Sequence, residues 1–172
     1  MTQAPTTQSR SRGVVGHHRR VFASPYFHRQ QRRHFLLFDV VPALGTLAAI
    51  ALLPWLPPGR LDIAIAAALW LATGLGISVG FHRLFSHRAF TTAAPVASAL
   101  VILGSMAARG PMFSWAAMHR RHHECSDAEG DMHSPNLAGD RRLGWLHAQV
   151  TWMLRHDYPN VGHYIQIGRA HV

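Results

Sequence analysis

The chain has 172 residues, 48% of them apolar and 15% charged, which is too apolar for a disordered chain and low in charge for a soluble domain. Its length fits one ordinary domain, so a multidomain enzyme with its own redox module is not expected. The net charge of +9 comes from seventeen basic residues, all arginine, while the single cysteine, Cys125, excludes an internal disulfide and any multi-cysteine metal or iron–sulfur site.

Residues 1–34 form a basic tail. Seven arginines (Arg10, Arg12, Arg19, Arg20, Arg29, Arg32 and Arg33) precede the first acidic residue, Asp39, and no apolar run interrupts them, so the segment lacks the core of a secretory signal. Residues 35–56 then carry one charge, Asp39, and are long enough to cross a hydrocarbon layer of roughly 30 Å as a helix of about 20 residues. Pro57-Pro58-Gly59-Arg60 breaks the pattern with room only for a hairpin. Residues 61–81 read as a second span with only Asp62 charged, and Gly74, Gly76 and Gly80 are the small residues that let membrane helices approach closely. The arginine tail places the N-terminus on the cytoplasmic side, so two crossings return the chain to the cytoplasm near His82. The apolar stretch 95–108 is short for a span and reads as re-entrant or lying along the membrane surface. Beyond Arg109 the chain is polar, aromatic and rich in histidine, with helices expected around 115–123 and 145–155.

Two histidine groups stand where the chain returns to the cytoplasm. His82 and His87 are five residues apart, about 140° around a regular helix, so they converge on one ion only if the helix ends or is distorted. His119, His122 and His123 have the spacing of one helical face, and neutral imidazole suits iron, zinc or copper. A string of imidazoles has no packing value of its own, so clustering favours metal binding. The scattered His17, His18, His28, His34, His147, His156 and His163 read as interfacial or tail residues.

HRLFSH at 82–87, HRRHH at 119–123 and the following ECSDAEGDMHSPNLAGDRRLGWLHAQVTWML resemble the first two histidine boxes of the membrane fatty acid desaturases, in the stearoyl-CoA (acyl-CoA) branch. The likeness takes in Trp115 four residues before the second box, the stretch from Ser126 to His133, and the pair Gly144-Trp145, and it runs from the first span to about Gln166. It implies an all-α integral membrane fold: two transmembrane helices and an interfacial or cytoplasmic helical region carrying the boxes. It also implies an oxygen-dependent enzyme that inserts a cis double bond into a fatty acyl-CoA or acyl-lipid, often at the ninth carbon, with two iron ions and molecular oxygen. The family's iron ligands carry over to His82, His87, His119, His122 and His123, and Trp115 is a candidate to line the acyl channel. An external electron donor of ferredoxin, rubredoxin or cytochrome type is implied. So are membrane lipids as surroundings and, from a composition rich in Ala, Arg and Gly, a bacterial inner membrane.

Among the neighbours, His133 reads as a structural residue and the acidic run Glu124, Asp127, Glu129 and Asp131 as a solvated loop. Arg83, Arg88, Arg120 and Arg121 are expected to face phosphates of lipid or substrate. The family's third histidine box does not occur, which leads to the expectation that residues 35–166 are the N-terminal half of a desaturase, inactive alone. Residues 167–172, IGRAHV, resemble a translated sequencing adapter and are expected to be foreign to the protein. Two other readings stand beside this one. A histidine-box lipid hydroxylase or alkane monooxygenase would share the iron logic, but the first box spacing and the Gly-Trp flank argue against it. A non-enzymatic membrane fragment would leave the histidines incidental; because topology already accounts for the tail's charge, no nucleic-acid partner is expected.

Overall fold

The computed structural model describes residues 21–22, 24–136, 141–154 and 156–167. Most of the basic tail and residues 168–172 of the expected foreign segment lie outside the described residues. What is described is about 72% helical. Ser24 starts helix α1 (Pro25–Phe35): its hydroxyl accepts from the Phe27 N–H at 3.3 Å, and Pro25 occupies a first-turn position where its missing N–H costs nothing. The helix continues through a π-helical turn (Leu36–Val40) into α2 (Val41–Leu52), giving one rod of 28 residues. The last ten residues assigned to the tail are therefore helical and continuous with the first span.

After the Pro57-Pro58 break, the Asp62 carboxylate accepts from the Gly59 N–H at 2.8 Å and starts α3 (Arg60–Leu75). This helix passes into a long π-helical segment, here π2 (Gly76–Ser86), so that the second rod has 27 residues. Both rods are long and apolar enough to cross a membrane. Their large side chains face outward, Leu47 at 63% and Trp70 at 75% exposure, which suits lipid rather than a protein core. The second span extends five residues past the sequence expectation, because hydropathy drops at His82 while the backbone ladder does not.

Helix α4 (Ala94–Met106) runs antiparallel along π2: Gly76 meets Gly104, and Gly80 meets Leu100. It thus turns back along the second span. A left-handed turn at Ala108 and Gly110 leads into α5 (Met112–Cys125). Helix α6 (Arg141–Gln149), a 3-10 turn (Thr151–Leu154) and α7 (Val161–Ile167) close the chain's described part, with a two-residue antiparallel pairing of β1 (Val21–Phe22) and β2 (Tyr158–Pro159). The helix expected over 145–155 is thus split, its second half wound more tightly. Among the described residues the buried apolar side chains include Phe81 on π2, Ala116 and Ala117 on α5 and Tyr164 on α7, with Met132 in the loop after α5. The small core lies beneath the histidines.

Candidate metal centre

The π-helical winding of π2 resolves the spacing problem of the first box. A π-helix closes N–H to C=O bonds five residues apart, so residues i and i+5 lie above one another rather than across the helix. The His87 N–H donates to the His82 carbonyl at 3.0 Å, and the Ser86 hydroxyl donates to the Phe81 carbonyl at 2.7 Å. The two rings consequently meet, with Nε2 atoms 3.0 Å apart. Helix α5 brings the second box against them: His119 Nε2 lies 2.9 Å from His87 Nε2 and 3.1 Å from His123 Nε2. Ligand atoms of His82, His87, His119 and His123 all fall within 4.8 Å of one another.

Those distances cannot be satisfied by hydrogen bonds alone. An imidazole Nε2 carries either one proton or one lone pair, yet His87 and His119 each face two other Nε2 atoms at hydrogen-bond distance. A shared cation satisfies all four lone pairs at once. Electrostatics prepare them for it. Burial, reinforced by His123, His82, His87 and His122, pushes the His119 pKa down to about 3, and burial followed by the charges of His82, His123 and Arg120 lowers that of His87. Both rings are neutral near pH 7, the form that binds metal.

The fifth box histidine goes elsewhere. His122 and His123 flank the direction of His119 on opposite sides and point about 100° apart, so they take different partners although all three have the spacing of one helical face. His122 faces Asp131 and His133 instead, in a second group whose ligand atoms lie within 4.8 Å of one another. His122 Nδ1 donates to Asp131 Oδ1 at 2.9 Å, and the His133 ring stacks on His122 at 4.2 Å. Asp131 also accepts from the N–H groups of Asp127 at 3.0 Å and His133 at 3.2 Å. Burial by itself raises the Asp131 pKa, but the hydrogen bonds from His122, Asp127 and His133 outweigh it and leave the carboxyl more acidic than usual.

Asp131 is therefore buried and engaged, not part of a solvated loop. Glu124 accepts from the Tyr164 hydroxyl at 2.8 Å, and Asp127 accepts from the Ser134 hydroxyl at 2.7 Å. The Asp-x-His pair at 131–133 was the available signal, masked by its acidic neighbours. Two of the four arginines expected to face phosphates also turn inward. Arg121 is 3% exposed and lies 3.4 Å from the Tyr164 hydroxyl, while Arg120 donates to three backbone carbonyls, those of Phe85, Ser86 and Tyr164. Arg83 and Arg88 are exposed.

Trp115 stacks on His119, with ring centroids 5.0 Å apart and planes 15° from parallel. Trp115 also meets the rings of Phe81 and His82 and lines a cavity of about 800 Å³ between α1 and the 3-10 turn, whose walls include Phe27, Phe38, Met118 and Trp152. An ion pair between Arg109 Nη1 and Asp39 Oδ1, 2.8 Å long, lies on the same wall. The cavity thus ends one ring away from the four histidines.

Several known proteins are similar to this chain. The hex-5-enoyl-[acyl-carrier protein] acetylenase of Moorena producens (strain JHB) is 46% identical over 151 residues, 84% of this chain and 47% of that protein. The sn-1 stearoyl-lipid 9-desaturase of Anabaena variabilis is 36% identical over 110 residues, 62% of this chain and 38% of that protein. The stearoyl-CoA desaturase of Sus scrofa is 33% identical over 129 residues, 75% of this chain and 33% of that protein. The chain spans about half or less of the length of these relatives. No family model and no solved structure matches it.

Proposed function

We propose, from the premise that the chain belongs to the fatty acid desaturase family and corresponds to its N-terminal half, that the histidine cluster holds one iron of a two-iron centre that dehydrogenates an acyl chain. The observation that carries the proposal is the convergence of four imidazoles from two boxes whose nearest ligands are 32 residues apart in sequence. His82, His87, His119 and His123 would hold this iron. His122, with Nδ1 engaged by Asp131, has Nε2 left as a ligand for the second, in the arrangement by which a carboxylate fixes the tautomer of a metal-binding histidine. Imidazole donors suit zinc and copper as well, so the choice of iron rests on family membership.

Bound iron with dioxygen supplies the oxidising strength that no side chain has for removing hydrogen from an unactivated methylene. The protein's own part is to hold, orient and exclude water. The cavity beside α1 offers an apolar path for the acyl chain, and Trp115 stands between that path and His119, which gives it a positioning role toward substrate. The basic N-terminus and both boxes lie on the cytoplasmic side of a bacterial inner membrane, by the excess of arginine before the first span. We take the electron donor to be of ferredoxin, rubredoxin or cytochrome type, as the family likeness implies.

Likeness to proteins named for CoA, lipid and carrier-protein substrates supports an acyl group as substrate and leaves its carrier to measurement. Expression of the gene carrying this sequence in a host without its own desaturase, followed by mass spectrometry of acyl chains, tests the reading. New monoenes or alkynes support it, with a double bond at the ninth carbon as the first expectation. Hydroxylated chains would indicate an oxygen-inserting enzyme, and unchanged lipids would contradict an enzymatic role for the expressed protein.

A further inference from the structure

The end of π2 presents a structural problem that the metal centre has to solve. A helix terminus leaves its last carbonyls without helical partners, and here that terminus carries His82 and His87 themselves. The Phe81 carbonyl is taken by the Ser86 hydroxyl, and the Arg83 carbonyl by the Ala89 N–H at 2.9 Å. Those of Phe85 and Ser86 are taken by one side chain. Arg120 Nη2 donates to the Phe85 carbonyl at 2.8 Å and Nε to the Ser86 carbonyl at 2.9 Å, while Nη1 donates to the Tyr164 carbonyl in α7 at 2.5 Å. A cation at a helix C-terminus is also favoured by the helix dipole.

We propose that Arg120 is a positioning residue for the metal centre, holding the terminal turn of π2 so that His82 and His87 meet His119. This rests on the reading that the four histidines bind metal. Arg120 follows His119 directly on α5, so the helix that supplies two ligands also grips the backbone that supplies the other two. Ligand sets of this kind must be held to within about 0.5 Å, and the three-way grip fixes the boxes in register. The chemistry demands arginine: its planar fork directs separate N–H groups to separate carbonyls, whereas lysine is a single flexible point charge. Mutual burial of the two boxes alone does not supply this constraint, because His87 and His123 are exposed.

The test uses the full chain in detergent micelles, with Co(II) as the metal probe. Co(II) affinity and its visible ligand-field bands are measured for the unaltered chain and for Arg120→Ala, Arg120→Lys and Arg88→Ala, and hydrogen exchange is followed in the metal-free proteins. Arg120→Ala is expected to weaken Co(II) binding by about 10–100-fold, as loss of an outer-shell partner does, to change the bands, and to speed exchange at residues 82–89 while leaving α2 and α3 as before. Arg120→Lys is expected to recover part of the affinity. Arg88→Ala, which removes a nearby exposed charge, is expected to change it less than twofold. Unaltered affinity and bands in Arg120→Ala overturn the proposal, and so does faster exchange spread over the whole molecule, which makes Arg120 a general structural residue. An unaltered chain that does not bind Co(II) instead defeats the metal reading, and the exchange pattern alone then reports whether Arg120 holds the turn.

Discussion

His119 occupies the middle of the imidazole chain, touching His87 on one side and His123 on the other, with Trp115 stacked on its face. His119→Ala should therefore weaken metal binding by more than the roughly 10–100-fold expected of an outer-shell residue, as read by metal content after dialysis. Asp131→Asn belongs to that milder class: it keeps the shape but loses the carboxylate that fixes His122. The depressed pKa of His119 has a consequence for stability. With a folded-state value of about 3 against an ordinary 6.5, the unfolded metal-free chain binds more protons between those values. Stability is then complete above about pH 6.5, is lost progressively as pH falls toward 3, and levels off below. Thermal unfolding of the metal-free protein from pH 7 to pH 4 should show the decline, and His119→Gln should flatten it.

The π-helical winding of π2 decides whether the first box works at all. Sequence spacing shows that His82 and His87 need a distorted helix, but it does not show which distortion, because a span that is apolar on nearly every side carries no face periodicity by which to tell π-helical from regular winding. The second box misleads in the opposite way. Its HxxHH spacing suggests one face, while the rotation between neighbours sends His122 to Asp131 and His133. Spans, their order and the identity of the box histidines follow from hydropathy and motif. The partners of Asp131, Arg120 and Arg121 do not, because they depend on contacts between segments far apart in the chain. Packing of π2 on α4 is a further requirement. A Cβ on Gly76 would collide with the backbone of Leu103 and Gly104, so Gly76→Ala should cost about 1–3 kcal/mol by overpacking. Detergent-solubilised protein should unfold at lower temperature and retain less metal, whereas Gly45→Ala, with open space around it, should do neither.

The two long rods keep their apolar faces outward, and the histidines gather at the end of the second rod, beside a small core. That arrangement puts the proposed chemistry at the membrane boundary, where an apolar cavity and a polar ligand set can lie side by side. Cys125, at the end of α5, reports on the topology because the sequence has no other cysteine. A membrane-impermeant maleimide should label it in inverted vesicles and not in intact spheroplasts, and the reverse pattern would turn the proposed orientation over. The central claim, that both histidine boxes close on one iron, is tested most directly by X-ray absorption at the iron edge of the purified, anaerobically loaded chain. A first shell dominated by nitrogen with the multiple-scattering signature of several imidazoles is expected, diminished in His87→Ala and in His119→Ala alike. Iron that is not retained, or a shell made only of oxygen and indifferent to both substitutions, would contradict it.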